Sequence, residues 1–332
     1  MKRREFITLG GAAATPSILW PLAARAQQAR KVWRIGFLAG ATRPAQLGSS
    51  VYAGFLRGMR QLGYVERRDF AMEWRFAEGR FELFPELAAE FVQLNVDVIV
   101  LGSTNAVPAA QRATATIPIV MGNCIDPVGN GFIASLARPG GNITGLATSS
   151  DDTTPKQLEL LLRAAPKVTR VGILVNPETP VHLAILKIAQ ASAELAGRAL
   201  VPVEMRNPDD VAKAFATIAS ERAGALMVPG NAFFFAQRQR IAEFALRNRL
   251  PTMFAQREYV EAGGLMSYGE SIADFYQHAA FYVDKIFKGA KPADLPVQQP
   301  TRFFLTINRK TVDTLGLTIP LELLVLADEI IE

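Results

Sequence analysis

The feature that most constrains this chain is a repeated alternation of short apolar runs with amphipathic stretches of helical period. Residues 34–38 read as a first strand. Leu47, Val51, Phe55, Met59 and Leu62 then recur at helical spacing, and Gly63 stands next as a C-cap. Phe70, Met72 and Trp74 alternate with more polar neighbours, as in an edge strand with one wet face. Phe84, Leu87, Ala88 and Phe91 mark the next helix, and 96–101 and 118–121 read as buried strands. The rhythm then restarts. Residues 171–175, 200–205, 225–228 and 251–254 read as strands, with helices beginning near Val181, Pro208 and Phe234. Strands alternating with helices predict parallel sheets covered on both faces, and two such runs predict an α/β chain of two doubly wound, Rossmann-like lobes.

The break between the runs is chemically visible. Arg138-Pro139-Gly140-Gly141-Asn142 is a turn, and residues 148–155 form a polar connection rich in Asp and Thr, which places a first crossover near residue 150. The C-terminal part is less simple. Gly263-Gly264 precedes a strand at 265–268, a helix covers 272–287, 288–300 is a Pro-rich connector, and 303–307 is a late strand. A helix–strand tail of this kind can revisit each lobe in turn.

The N-terminus reads as an export leader. Met1-Lys2-Arg3-Arg4-Glu5-Phe6-Ile7 is a charged opening, an apolar or small stretch runs to Leu22, and Ala24-Arg25-Ala26 supplies a small-x-small cleavage site. Cleavage after Ala26 leaves Gln27 first, and the expected location is the periplasm. Arg3-Arg4 with Phe6 after them resembles the twin-arginine variant; Lys2, where Ser or Thr is commoner, leaves Sec export open. Pro16 and Pro21 interrupt the apolar run, which is short of the ~20 residues a membrane span needs. The full chain carries +5, but Lys2, Arg3, Arg4 and Arg25 against Glu5 lie in the leader, so the mature chain is near +2. That weakens any case for a nucleic-acid surface. The roughly 306 mature residues exceed what one core usually holds. Cys124 is the single cysteine, so there is neither an internal disulfide nor a lipid-anchor site near the leader.

In open parallel sheets, ligands bind beyond the carboxyl ends of strands. The segments just past the predicted strands of the first half are Ala39-Gly40-Ala41-Thr42, Gly102-Ser103-Thr104-Asn105 and Gly122-Asn123-Cys124-Ile125-Asp126-Pro127. In the second half they are Asn176-Pro177 and Pro229-Gly230-Asn231. These are hydrogen-bonding, largely uncharged loops aimed at one cleft. Ser103 and Thr104 stand just before a predicted helix, where free N–H groups favour a carboxylate. Asn and Ser after strands are also ordinary turn and cap residues, so the argument rests on five such loops converging.

Catalytic motifs are thin. Gly129-Asn130-Gly131-Phe132-Ile133-Ala134 matches G-x-G-x-x-A but is detached from its strand, and no Gly-Lys dipeptide exists for a phosphate-binding Walker loop. No cofactor is expected. His182 and His278 lie far apart in predicted helices and read as solvated positions; Cys124 reads as a small core thiol. Phe233-Phe234-Phe235 reads as packing at a helix start or as the wall of an apolar ligand site.

The stretch from Asp126-Pro127-Val128-Gly129 to Asn142-Ile143-Thr144-Gly145, with Glu258-Tyr259-Val260-Glu261-Ala262-Gly263-Gly264-Leu265-Met266-Ser267-Tyr268-Gly269 and Leu315-Gly316-Leu317-Thr318-Ile319-Pro320, resembles the ABC-transporter substrate-binding proteins of type I periplasmic-binding fold, tryptophan- and tyrosine-type binders among them. The resemblance implies two lobes joined by three crossover strands, with lobe I at 31–149 plus 266–300 and lobe II at 150–265 plus 301–332. It also implies a small-molecule ligand, an amino acid or other carboxylate, and an ABC permease with a separate ATPase. A monomer outside the membrane, with no nucleic-acid partner, is expected. Matching cleft loops points to Thr42, Ser103, Thr104, Asn123 and Asp126 on lobe I, with Asp126 facing a ligand ammonium, and to Asn176, Asn231, Glu258 and Tyr268 on lobe II. An exported hydrolase using Cys124 or Asp126 is the rival class, but no His lies near either and no G-x-S-x-G elbow is present. A ligand sensor for a signalling partner would use the same fold.

Overall fold

A computed structural model describes residues 31–148, 150–299 and 301–332; the leader lies outside them. The first strands are β1 (Trp33–Ala39), β2 (Phe70–Phe76), β3 (Val98–Leu101), β4 (Ile119–Ile125) and β5 (Ile143–Thr148). They form one parallel sheet in the order β2-β1-β3-β4-β5. The second sheet has seven strands. These are β6 (Arg170–Val175), β7 (Ala199–Glu204), β8 (Ala225–Val228), β9 (Thr252–Phe254), β10 (Met266–Gly269), β11 (Phe304–Asn308) and β12 (Glu329–Ile331). Their order is β12-β11-β10-β9-β8-β6-β7, and among the described residues the β10–β11 pair alone is antiparallel.

Burial matches the sequence pattern. Strands β3 and β8 (Val-Ile-Val-Leu and Ala-Leu-Met-Val) are buried at every position, as a sheet covered on both faces requires. β2, the edge strand with a wet face, is only half-buried beyond Phe70. Each sheet has a core on both sides. Phe37 anchors one of them, its ring meeting Tyr52, Phe55, Trp74 and Tyr276 at centroid distances of 4.7–5.7 Å. Aromatic pairs at that range add directional attraction to area burial.

The chain passes between the sheets three times. The first pass follows β5, which ends at Thr148, and leads to the helix Ser150–Ala164. The polar residues expected to be a loop there are that helix's opening turns. The second pass comes after Gly269. The helix Ile272–Phe287 returns to the first lobe and lies against the helix Ala53–Gln61 at Gly54 and Gly58. A Cβ at Gly54 would sit 2.0 Å from the Ala273 carbonyl oxygen, and one at Gly58 2.4 Å from that of Gln277, so only glycine permits this approach. The third pass comes after Gln298, which pairs with Leu146 beside β5, and leads to β11.

Two expectations need correction. β10 lies in the second sheet, so 266–269 stand with lobe II, and the crossing falls at Glu270-Ser271 rather than before Met266. The eleven residues between β9 and β10 hold one short helix (Glu258–Glu261), and β10 then docks in parallel register on β9, Met266 beside Met253. Strands β5 and β12 also emerge where no strand was expected. β5 is hidden in sequence behind the Pro-Gly-Gly turn, and β12 is only three residues long.

Candidate functional site

The carboxyl ends of β1, β3, β4 and β5 face those of β6, β8 and β9 across one cavity. About 110 Å³ of it is open to the centre of a water molecule. At roughly 10–15 Å³ per water, that is room for several waters or one small solute.

Two loops on opposite walls have nearly the same backbone and different partners. Ser103, after β3, is extended (φ −155°, ψ 137°) and opens the turn Thr104–Ala106, which runs into the helix Val107–Ala113. Its side chain makes no capping bond, so the first N–H groups of that turn are not closed off by their own cap. Asn231, after β8, has φ −157° and ψ 136°. Its Oδ1 accepts from the Phe233 and Phe234 N–H groups at 2.8 and 3.2 Å, and its Nδ2 donates to Thr179 Oγ1 at 3.0 Å. Asn105 Nδ2, from the other lobe, donates to the same oxygen at 3.1 Å. The lobes therefore meet directly through Thr179. Gly40 also faces Ala232 so closely that a Cβ on it would lie 2.5 Å from the Ala232 Cβ.

Rings wall the cavity. Tyr52 and Tyr276 stack in parallel planes, centroids 5.4 Å apart, and Phe235 stands opposite on the helix Ala232–Ala236. Phe233 and Phe234 are fully buried, so the triple-Phe run divides between core packing and the cavity wall. Among the described residues lining the cavity, Glu270 is the one charged side chain. It sits on the second crossing, and its Oε1 accepts from Thr148 Oγ1 at the end of β5, tying two crossings together. Burial raises its carboxyl above the ordinary range, against the lowering effect of the Thr148 bond. Asn123 Oδ1 and Gln256 Oε1, on residues lining the cavity from opposite lobes, are buried without a hydrogen-bond partner among the described residues.

Behind the lobe II wall stands His182, fully buried against the sequence expectation of a solvated helix position. Its Nδ1 accepts from the Asn176 N–H at 2.9 Å, which places the proton on Nε2, 3.2 Å from the Gly230 carbonyl it donates to. Burial depresses its pKa to about 4. A neutral imidazole thus links the loops after β6 and β8.

Of the residues the sequence pointed to, Ser103, Thr104, Asn123 and Asn231 line the cavity. Thr104 Oγ1 is spent on the Ile125 N–H at 2.9 Å. The other five do not line it. Thr42 is exposed beyond Ala41, which turns inward. Asp126 is exposed at a positive φ of 43°, and its Oδ1 accepts from the Gly129 N–H at 2.9 Å, closing a turn. Asn176 is fully buried, its Oδ1 accepting from the Glu178 N–H. Tyr268 turns its ring to the opposite face of β10, onto Phe303. Glu258 lines a neighbouring cavity. Cys124 is core, its thiol pushed up to about 12 by burial. Sequence reasoning missed Glu270, Tyr52 and Tyr276. Glu270 comes directly after β10 and obeys the strand-end rule, but the sequence pattern ends that strand one residue early.

A family profile described as ABC transporter substrate binding protein matches residues 45–331. The chain belongs to that family. It is therefore a substrate-binding protein, not an enzyme, with a type I periplasmic-binding fold. A tyrosine-binding protein from Clostridioides difficile (strain R20291) is 24% identical over 264 residues, 80% of this chain and 76% of that protein. The structure of an ABC domain in complex with L-Trp from Streptococcus pneumonia is 25% identical with a TM-score of 0.80, covering 90% of this chain and 100% of that one. A conserved domain protein from Vibrio cholerae is 28% identical with a TM-score of 0.83, at the same coverage. Among the described residues no helix is long and apolar enough to cross a membrane.

Proposed function

We propose that this chain holds an α-amino acid with an aromatic side chain between its lobes and delivers it to an ABC importer. The observation that carries this is the placement of Glu270. One carboxylate lies in a cavity otherwise lined, among the described residues, by uncharged groups: rings, aliphatic side chains, hydroxyls and amides. A ligand ammonium beside it would gain a charge-assisted bond and oppose the upward shift that burial gives the carboxyl. The ligand carboxylate would go to the Ser103 hydroxyl and the open N–H groups of the adjoining turn. Asn123 and Gln256 offer further polar contacts, and Tyr52, Tyr276 and Phe235 enclose the side chain. Relatives named for tyrosine or solved with L-Trp support the reading. The ligand acts by favouring the closed arrangement that the Asn105–Thr179 bond already joins. A permease with a separate ATPase reads that closed form, after export to the periplasm and removal of residues 1–26.

Calorimetry of protein purified from periplasm against the L-amino acids, with native mass spectrometry for a co-purified ligand, tests the reading. L-Tyrosine or L-tryptophan is expected to bind tightest. Binding only to a sugar or a polyamine would overturn it. N-terminal sequencing should start at Gln27, and Met1 retained on periplasmic material would refute the export step.

A further inference from the structure

A second cavity of about 340 Å³ lies behind the second crossing, against the face of β10 and β11 that carries Ser267, Gly269, Phe304 and Thr306. Its floor is unusual. Ser267 and Thr306 are cross-strand neighbours, 2% and 1% exposed, and neither side chain has a hydrogen-bond partner among the described residues. Both hydroxyls face the cavity without a protein partner and are free to bond a polar occupant there.

The walls determine its charge. Arg257 is held by Glu329 at 2.6 and 2.7 Å, and Arg302 by Asp328 at 3.0 Å, so both cations are neutralised in place. Glu258, Glu270 and Asp274 make no ion pair among the described residues, so acidic groups outnumber basic ones around the cavity. No group of three or more metal-ligating side chains is gathered closely enough among the described residues to hold a metal ion. Separated carboxylates with hydroxyls between them suit an extended organic cation, whose several N–H donors can reach them in turn.

We propose that this hinge-side cavity is a second binding site, for a small aliphatic amine. Glu270 lines both cavities. An amine behind the hinge therefore draws on the same carboxylate that faces the ligand cavity, and the two occupants weaken each other. That coupling, unlike the amine site itself, rests on the amino-acid reading above.

Putrescine titrated calorimetrically into the mature protein at fixed ionic strength is the test. A saturable one-to-one isotherm is expected, with no matching heat from sodium chloride. Glu258→Gln should weaken it by about ten-fold or more, as loss of a charge-assisted bond does. Thr306→Val should weaken it several-fold, with thermal melts confirming that both variants fold. Saturating putrescine should weaken L-tyrosine binding by the same factor as the reverse experiment. The proposal falls if no saturable heat is seen, or if both variants bind putrescine like the wild type. If L-tyrosine displaces putrescine one for one while neither variant changes its affinity, the amine sits in the main cavity and the second site is refuted. Should no amino acid bind at all, the putrescine isotherms still decide the hinge site independently.

Discussion

The loops at Ser103 and Asn231 occupy equivalent places in the two lobes, each after a fully buried four-residue strand, with backbone angles that agree to within 2°. They differ in how their polar atoms are used. Asn231 satisfies its own helix start and bonds Thr179, and His182 locks the loop behind it. Ser103 leaves its helix start uncapped beside the cavity. Lobe II thus presents a wall whose hydrogen bonds are already made, and lobe I one with donors to spare. The same backbone frame has its bonds made on one side and, on the proposed reading, receives the ligand on the other.

The largest effect expected from this difference lies in the scaffold wall. His182 binds fewer protons folded than unfolded between about pH 4 and 6.5, so stability is lost as pH falls through that window. A shift of this size is worth roughly 3 kcal/mol. Melting temperature tracked from pH 7.5 to 4 should drop more steeply in wild type than in His182→Gln. The buried Glu258 and Glu270 carboxyls, raised above their ordinary range, tilt stability the opposite way in both proteins, so the difference isolates the imidazole. Parallel curves would mean that the lobe II lock is not what the hydrogen bonds suggest.

Next come the two loop residues themselves. Asn231→Ala removes a cap and the Thr179 bond, and should cost about 2 kcal/mol of stability in denaturant unfolding. Ser103→Ala should leave the melt in place and raise the L-tyrosine dissociation constant about ten-fold. The reverse pattern would exchange their roles.

The same loops show how much of this could be read in the sequence. Hydrophobic period revealed both runs of strands, and the strand-end rule found Ser103 and Asn231. Neither could say which side chain would turn back on its own helix. The acids show the limit more sharply. Asp126 and Glu270 each come directly after a strand. Asp126 is drawn into a local turn by Gly129, whereas Glu270 is placed by the chain's second crossing, a long-range feature that no local pattern encodes. Tyr52 stands just before the helix Ala53–Gln61 and Tyr276 lies within the helix Ile272–Phe287, each packed among core residues at the cavity end.

Smaller effects sharpen the contrast. Thr179→Val removes the oxygen on which Asn105 and Asn231 converge, and should weaken L-tyrosine about five-fold by opening the lobes, a loss of about 1 kcal/mol. An open fraction that does not grow in small-angle scattering of the ligand-free variant would contradict this. Asp126→Asn keeps its turn bond to Gly129 and should change neither affinity nor melting temperature measurably. A clear affinity loss there would return Asp126 to the site.

The central claim is that Glu270 receives the ammonium group of the ligand, and one thermodynamic cycle tests it most directly. Wild type and Glu270→Gln are each titrated with L-tyrosine and with 3-(4-hydroxyphenyl)propionate, which lacks only the ammonium. Wild type should prefer tyrosine about ten- to hundred-fold, the worth of a charge-assisted hydrogen bond, and Glu270→Gln should lose most of that preference. A preference that survives the substitution intact would show that the ammonium is held elsewhere.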